Sequence, residues 1–468
     1  MYKHIVILVA ALAVSAPAPA QESELAKIRE EIRQMKQQYE KRIQELEKRL
    51  ADTEAKAGKA ADAAGKAEQS AASAETATAA AASARSGESA FNPAVSLILQ
   101  GTYARESQDP NKYKINGFVP SGGEVSPPKR SFGLGETELA IASNIDPYFR
   151  GVAIASLAPD GGVTVEEAYF QTLALSQGFT VKGGRFFSGL GYLNEQHQHA
   201  WDFQDAPLAY KAFLGGQFTQ NGLQLKWVAP TDLLIELGAE VGSGNNYPGN
   251  DLNKNGIGSS ALFAHAGGDI GDSYAWRTGV SYLRTSPNGR SYQDVDSRGN
   301  PTTNTFSGSA NLWVADAVLK WAPHGDSTYN NFKLQGEYFR FIQDGSLSYN
   351  STVSPLVTGP FSGTQSGWYM QGAWQFYPRW RVGYRYDRLS GTLNNGIVTN
   401  GLGPTAADFP VLAAYGPTRN TVMLDWSATE FSRLRLQFAS DQSRLGLTDN
   451  QIFVQYIYSL GAHGAHKF

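Results

Sequence analysis

Regular alternation of apolar and polar residues runs from residue 91 to the end of the chain, and no other feature constrains the fold as strongly. In the segment 366–377, for example, Trp368, Met370 and Trp374 share one face. A period of two indicates β-strands that are apolar on one face only. Sixteen such segments can be recognised: 94–103, 132–143, 149–157, 163–174, 179–187, 221–229, 233–241, 259–266, 273–284, 309–321, 331–342, 366–377, 380–389, 420–428, 432–440 and 450–460.

The connections between these segments fall into two sets. Seven are short, around 144–147, 176–178, 230–232, 267–272, 323–330, 378–379 and 429–431. The others are mostly long and rich in Gly, Ser, Asn and Pro, for example 104–131, 188–220, 285–308, 343–365 and 390–419. A soluble β-sandwich would also alternate, but its loops would not sort in this way. The pattern predicts an all-β transmembrane barrel of about 16 antiparallel strands over residues 91–468, with turns in the periplasm and loops outside.

Composition excludes several other classes of protein. The 468 residues include no Cys, which excludes disulfide frameworks, zinc fingers, iron–sulfur clusters and thiol catalysis. Lys and Arg total 40 against 43 Asp and Glu, so the basic excess that nucleic-acid binding requires is absent. Aromatic residues near predicted strand ends fit the girdles of a membrane barrel, namely Trp227, Trp321, Tyr377, Trp380 and Trp426.

The N-terminal residues 1–20 have the pattern of a signal peptide. Lys3 and His4 precede an apolar run over 5–14, and Ala18 and Ala20 supply the small residues of a cleavage site. The mature chain is therefore predicted to begin at Gln21. Export of a chain without Cys fits the periplasm or outer membrane of a Gram-negative bacterium.

Residues 21–90 carry a different repeat. Apolar positions recur every three or four residues between Leu25 and Leu50, and an Ala-rich continuation follows. This spacing predicts an N-terminal α-helical coiled coil with one stutter. The Ala-rich half buries little, and Gly58 and Gly65 weaken it further. It is either an oligomerisation rod or a partly disordered stalk, and an even strand number would place it in the periplasm.

Charged residues on the predicted inner faces imply a water-filled lumen. Sixteen strands leave an aqueous channel, whereas eight would be filled by side chains. Opposed rows of charge would select solutes by charge, unless these groups only pair with each other and hydrate the wall. The predicted pore-lining residues are Lys182, Lys226, Arg277, Lys333, Arg381, Arg385, Arg433, Arg435, Glu136, Glu138, Glu236 and Glu240.

The connection 188–220 is the longest, and its aromatic residues need cover from water. We therefore expect it to lie inside the lumen as a constriction loop, with Glu195, Asp202 and Asp205 facing basic wall residues. His197 and His199 would point the same way on an extended chain, and imidazole with carboxylate suits a divalent transition metal such as zinc. The alternative is that these groups hydrogen-bond within the loop and to the wall. No other cofactor is predicted.

Two further features concern the C-terminus. His463 and His466 would face opposite sides of a strand, so they cannot chelate one ion there. The terminal Phe468 resembles the signal through which the barrel assembly machinery recognises outer-membrane proteins.

Two resemblances to known families follow from short motifs. The segments 165–170 (VEEAYF) and 181–187 (VKGGRFF) are similar to the strand pair before the constriction loop of coiled-coil porins, of the phosphate-selective porin O/P and DcaP-like types. This resemblance implies a passive, homotrimeric outer-membrane channel in a lipid bilayer. The segments 197–203 (HQHAWDF) and 461–468 (GAHGAHKF) resemble proteins labelled zinc-regulated TonB-dependent outer membrane receptors.

The chain carries no recognisable enzyme motif, since it has no Gly-x-Ser-x-Gly elbow, no His-Glu-x-x-His pair and no phosphate-binding Gly loop with Lys. We therefore predict that it is not an enzyme. The predicted function is passive diffusion of small hydrophilic, charged solutes through a trimeric porin. The alternative is a zinc-linked receptor or metal-uptake channel.

Overall fold

The computed structural model describes residues 93–461 apart from 123–124, 159–160, 251–254 and 352–353, and in addition Arg33, Lys41, Arg42, Gln44 and Lys48. These five residues are helical, and the chain divides into two units, Met1–Ala90 and Phe91–Phe468. The predicted signal peptide, the rest of the coiled coil, and His463, His466 and Phe468 lie outside the described residues. No helix among the described residues is long and apolar enough to cross a membrane.

The second unit is built almost entirely of β-strands. Its described part contains β1 (Ala94–Glu106), β2 (Ser131–Leu134), β3 (Thr137–Asn144), β4 (Phe149–Leu157), β5 (Val163–Thr172), β6 (Phe179–Phe187), β7 (Thr219–Val228), β8 (Leu234–Gly242), β9 (Ser259–Ile270), β10 (Tyr274–Thr285), β11 (Arg290–Val295), β12 (Pro301–Trp321), β13 (Asn331–Ser351), β14 (Ser354–Tyr377), β15 (Trp380–Asn395), β16 (Thr418–Thr429), β17 (Ser432–Gln442) and β18 (Asp449–Gly461). Two short α-helices, α1 (Leu208–Leu214) and α2 (Gly396–Thr399), lie in connections. Short 3-10 turns occupy Pro110–Lys112, Gln198–Ala200, Pro323–Gly325, Ala406–Asp408 and Pro410–Leu412.

The strands form one closed antiparallel sheet. β1 pairs with β18, from Ser96 opposite Gly461 to Glu106 opposite Gln451. β2 and β3 both pair with β1 and together form one interrupted wall strand. β11 pairs with the first part of β12, while β10 pairs directly with the second part. The barrel therefore has 16 wall strands, which confirms the predicted fold class.

The main difference from the sequence-based boundaries is the length of β12 to β15. β13 ends only at Ser351, and β14 already begins at Ser354. Much of the predicted loop 343–365 is therefore strand. The outer side chains there are mostly small or polar, and the hydroxyls of Ser348 and Thr358 bond across the two strands at 2.7 Å, whereas Leu347, Tyr349 and Phe361 are buried on the inner face. The alternating pattern missed these extensions because backbone pairing needs no particular side chain.

The two faces of the barrel wall differ as predicted. On β17, Leu434, Leu436 and Phe438 are exposed on the outside, whereas Arg435 and Gln437 are buried inside. A closed sheet with an apolar outer band leaves no unpaired backbone edge in lipid. All five predicted girdle aromatics lie close to the short-turn ends of their strands, where the rings of Trp380 and Trp426 are 6.1 Å apart.

Candidate functional site

The connection 188–218 between β6 and β7 lies inside the barrel. It contains one 3-10 turn and α1, and every residue of α1 is buried. Phe203, Tyr210 and Phe213 are no more than 1% exposed. We call residues 188–218 the lumen loop.

Wall carboxylates hold the first part of the lumen loop. Glu240 accepts hydrogen bonds from the Ser188 hydroxyl at 2.5 Å and the Gly189 N–H at 2.9 Å. Glu337 accepts from the N–H groups of Tyr192 at 2.6 Å and Leu193 at 2.9 Å. These four hydrogen bonds fix the entry of the loop to β8 and β13.

The middle of the lumen loop is packed against an apolar part of the wall. The ring of Tyr210 meets Phe339 edge to face with centroids 5.1 Å apart, and Phe213 lies 5.4 Å from Phe341. Gly215 ends α1 in the left-handed conformation with φ 68°, which favours glycine. The wall residues of this cluster are Ala261, Leu283, Ala310, Leu312, Val314, Phe339, Phe341, Tyr369 and Leu389, so the loop fills the lumen beside β9 to β15.

Two aspartates attach the same loop to basic residues of the wall. Asp202 lies 3.0 Å from both Lys333 and Arg381. Asp205 pairs with Arg385 at 3.1 Å and contacts Arg419. Burial alone would raise the pKa of both carboxyl groups, but the surrounding cations hold each pKa well below its usual value. Both aspartates are therefore charged anchors.

A second row of carboxylates lies behind the arginines. Asp425 accepts from Arg381 at 2.6 Å and from Arg435 at 2.8 Å. Asp387 accepts from Arg385 at 3.0 Å, and Asp441 lies 3.4 Å from Arg419. Arg385, Arg419 and Arg435 are no more than 1% exposed, so they hold the loop and do not face an open pore.

Sequence reasoning missed Arg419 as a site residue. It lies one position before the predicted start of its strand at 420, within the predicted loop 390–419. Asp425 was inside the predicted strand 420–428, where a carboxylate in an otherwise mostly apolar run was the available signal.

The remaining predicted pore-lining residues also lie on the inner face. Lys226 pairs with Glu236 at 2.9 Å, and Glu195 of the loop interacts electrostatically with Lys226. Lys182 lies over the ring of Tyr169, Arg277 over that of Tyr192, and Arg433 donates to the carbonyl of His199. The structure therefore brings Glu195, Asp202 and Asp205 each near a basic group.

An open space remains on the other side of the lumen. A cavity of about 600 Å³ lies between the lumen loop and the wall around β1, β2 and β4 to β7. Glu136, Glu166 and Arg185 line it from the wall, and Asp205 and Lys211 line it from the loop. The cavity beside the loop thus carries both signs of charge.

The two predicted metal-binding histidines meet carboxylates of the wall. His197 Nδ1 lies 3.0 Å from Glu166 Oε2 and 3.3 Å from Glu138 Oε2, while its Nε2 lies 3.0 Å from Glu167 Oε2. His199 Nδ1 lies 2.7 Å from Glu138 Oε1. The two rings stack at 5.9 Å, so they do point the same way. The backbone between them is a 3-10 turn, which corrects the predicted extended chain.

A β-bulge explains why two consecutive residues, Glu166 and Glu167, are both buried. Ile154 pairs with Glu167 and Ala155 with Val165, which leaves Glu166 as the extra residue. A bulge re-aims a side chain, whereas a regular strand would send one of the two outward. The adjacent carboxylates in VEEAYF were the only signal in the sequence.

These carboxylates also set the charge of the histidine between them. Burial alone would lower the pKa of His197, but the carboxylates of Glu138, Glu166 and Glu167, which accept hydrogen bonds from the ring, raise its pKa well above the usual value. These three carboxylates therefore favour the protonated, cationic form of the imidazole.

A search of family models finds no match to this chain. A protein of Aquifex aeolicus (strain VF5), described as uncharacterized, is 32% identical over 407 residues, which cover 81% of each chain. This chain belongs to the same family as the Aquifex protein. The sequence match to the Aquifex protein covers most of this chain.

Several solved outer-membrane proteins resemble the chain in backbone. A loop-deletion mutant of OmpT from Vibrio cholerae has a TM-score of 0.49 at 10% identity and covers 79% of this chain and 99% of its own. The DcaP channel of Acinetobacter baumannii has a TM-score of 0.44 at 12% identity, with 79% and 97% covered. An anion-selective porin from Comamonas acidovorans has a TM-score of 0.44 at 9% identity, and the match covers 79% of this chain and 99% of the porin. The barrel architecture itself is established by the strand pairing of this chain.

Proposed function

We propose that the protein is an outer-membrane channel for passive diffusion of small hydrophilic, charged solutes. One observation carries the proposal: the lumen loop narrows a barrel of 16 wall strands without filling it. The remaining cavity of about 600 Å³ is lined by Glu136, Glu166, Arg185 and Lys211. Barrels of this strand number leave an aqueous channel when a loop does not close them.

The wall supports the proposed location and orientation. The start of β1 and the end of β18 lie at the same rim as the turn after β3, since Ser96 pairs with Gly461 and Ala94 with Ala142. In outer-membrane barrels the rim with short turns faces the periplasm. Residues 21–90 would then project into the periplasm, where the coiled coil would join three copies after the barrel assembly machinery inserts each one.

Solute selection in this channel depends on which charges meet the passage. Arg385 and Arg435 are buried under the loop and paired with carboxylates. Arg185 and Glu166 line the cavity. A permeating ion therefore meets both signs at close range, which favours weak ion selectivity and discrimination by size and dipole.

A TonB-dependent receptor is a poorer fit to this geometry. Such receptors need about 22 strands around a plug. Here the obstruction is the lumen loop, a hairpin connection of the barrel itself, and the wall has 16 strands. That the chain is not an enzyme remains a prediction.

Single-channel recording in a planar bilayer tests the proposed function. The purified full chain should give steady, ohmic openings, because the passage is a fixed gap between wall and loop. Liposome swelling with neutral sugars of increasing size should show a sharp size limit. A folded barrel that conducts no ions and admits no sugar contradicts the channel and favours a closed receptor.

The trimer is tested separately. Deletion of residues 22–90 should leave an inserted barrel, because its backbone pairing and outer apolar band are complete without them. Chemical cross-linking should then report the loss or weakening of the trimer. Failure of the shortened chain to insert contradicts the separate role given to the coiled coil.

A further inference from the structure

We propose that His197, Glu138 and Glu166 form a binding site for one divalent transition-metal ion, of the zinc class, where the lumen loop meets β3 and β5. Ion binding at this site does not depend on whether the barrel conducts.

The donor atoms are already close to the spacing that a metal requires. One ligand atom from each of the three residues lies within 4.8 Å of the others. Nδ1 of His197 is 3.0 Å from the Glu166 oxygen and 3.3 Å from the Glu138 oxygen. Tetrahedral zinc with bonds of about 2.0–2.1 Å separates its ligand atoms by roughly 3.3 Å. Small shifts of the side chains would therefore admit the ion.

A second set of groups orients the proposed ligands. Glu167 lies 3.0 Å from the other ring nitrogen of His197, and it also accepts from the Phe187 N–H at 3.0 Å. A carboxylate on the far side of a ligating histidine is the usual support in zinc sites. His199 lies 2.7 Å from the second oxygen of Glu138. Glu167 thus orients His197, and His199 orients Glu138. These contacts leave His197 Nδ1 and Glu138 Oε2 close together, 3.3 Å apart, as the proposed ligand atoms.

The chemistry of the donors selects the ion. One imidazole and two carboxylates suit Zn²⁺ and neighbouring transition metals, whereas Mg²⁺ prefers an all-oxygen octahedral shell. Glu166 lines the open cavity, so an ion can reach the site from the passage. It would join the loop to the β3–β5 side of the wall.

Direct binding measurements test the site. The full chain is purified without a histidine tag, with His463 and His466 both changed to Ala, and stripped with EDTA. Calorimetry with Zn²⁺ should show one ion per chain, and Co²⁺ should give the strong visible absorption of a tetrahedral complex. His197→Ala and Glu166→Gln should each weaken Zn²⁺ binding by at least tenfold. Glu167→Gln should weaken it by about 10- to 100-fold, as an orienting group does.

The matched control is His324→Ala, since His324 also forms a histidine–carboxylate pair, 3.2 Å from Asp272 on an exposed turn. This variant should bind Zn²⁺ like its parent. Heat-modifiable migration in gels verifies that each variant is folded. If His197→Ala does not fold, the Zn²⁺ affinity of Glu166→Gln tests the site in its place. A folded parent that binds no Zn²⁺, or equal binding by the parent and both ligand variants, overturns the site. Because the assay uses no conductance, its outcome is independent of the channel proposal.

Discussion

The two sides of the barrel lumen are built from the same alternating strands but from different inner side chains. Beside β9 to β15 the wall presents large apolar groups such as Phe339 and Phe341, and α1 covers them. Beside β1, β2 and β4 to β7 most of the inner side chains are smaller or polar, such as Thr102, Ser156 and Thr164, and a cavity of about 600 Å³ remains. The size of the inner side chains thus decides where the loop lies and where a passage is left.

The charges on the two sides also have different roles. Arg385 and Arg419, which pair with Asp205, are buried, and removing one member of a buried pair typically costs about 3–5 kcal/mol. Charges that border water contribute much less to stability. We therefore expect the covered side to control the position of the loop and the open side to control ion preference.

The largest effect is expected from Asp205→Asn. It leaves Arg385, Arg419 and Lys211 without their shared carboxylate, which should release the loop at a cost of about 3–5 kcal/mol. Single-channel conductance should rise and become noisy, and the temperature at which the barrel loses its compact gel migration should fall.

The control for this substitution is Asp326→Asn, on an exposed turn at the short-turn rim. It should change neither conductance nor thermal stability. If Asp205→Asn behaves like this control, the covered side does not anchor the loop.

A smaller effect is expected on ion preference from the open side. Arg185→Gln should shift selectivity towards cations and Glu166→Gln towards anions, because both residues line the cavity. Reversal potentials in a salt gradient measure this shift. Arg435→Gln should move the reversal potential less, since Arg435 is buried under the loop. A larger shift from Arg435 than from Arg185 would reverse the assignment of the two sides.

The smallest effect is expected from lowering the pH. The pKa values of Asp202 and Asp205 are lowered in the folded protein, so their stabilising contribution is present above the usual carboxyl pKa of 3.8. It is lost only as the pH falls through the lowered folded values. Conductance noise should therefore stay constant from neutral pH to about pH 4 and increase below it. Noise that increases already near pH 6 contradicts this origin.

Much of the fold could be predicted because its signals are local. Alternation within each segment predicted sixteen wall strands and separated inner Arg435 from outer Leu434 and Leu436. The aromatic content of 188–220 predicted that it needs cover, and the structure has it inside the lumen. His197 and His199 were recognisable as ligand types from residue chemistry alone.

Three features were decided only by the tertiary structure. Arg419 meets Asp205 across 214 positions of sequence, and that pairing depends on the path of the whole loop. Glu166 and Glu167 both point inward because β4 and β5 shift register by one residue, which neither strand encodes by itself. The length of β13 and β14 depends on each backbone having the other beside it. Periodicity is a property of one segment, so the sequence pattern alone determines the strands and their two faces. Contacts, register and closure of the barrel arise only when segments are brought together, so they are decided by the tertiary structure.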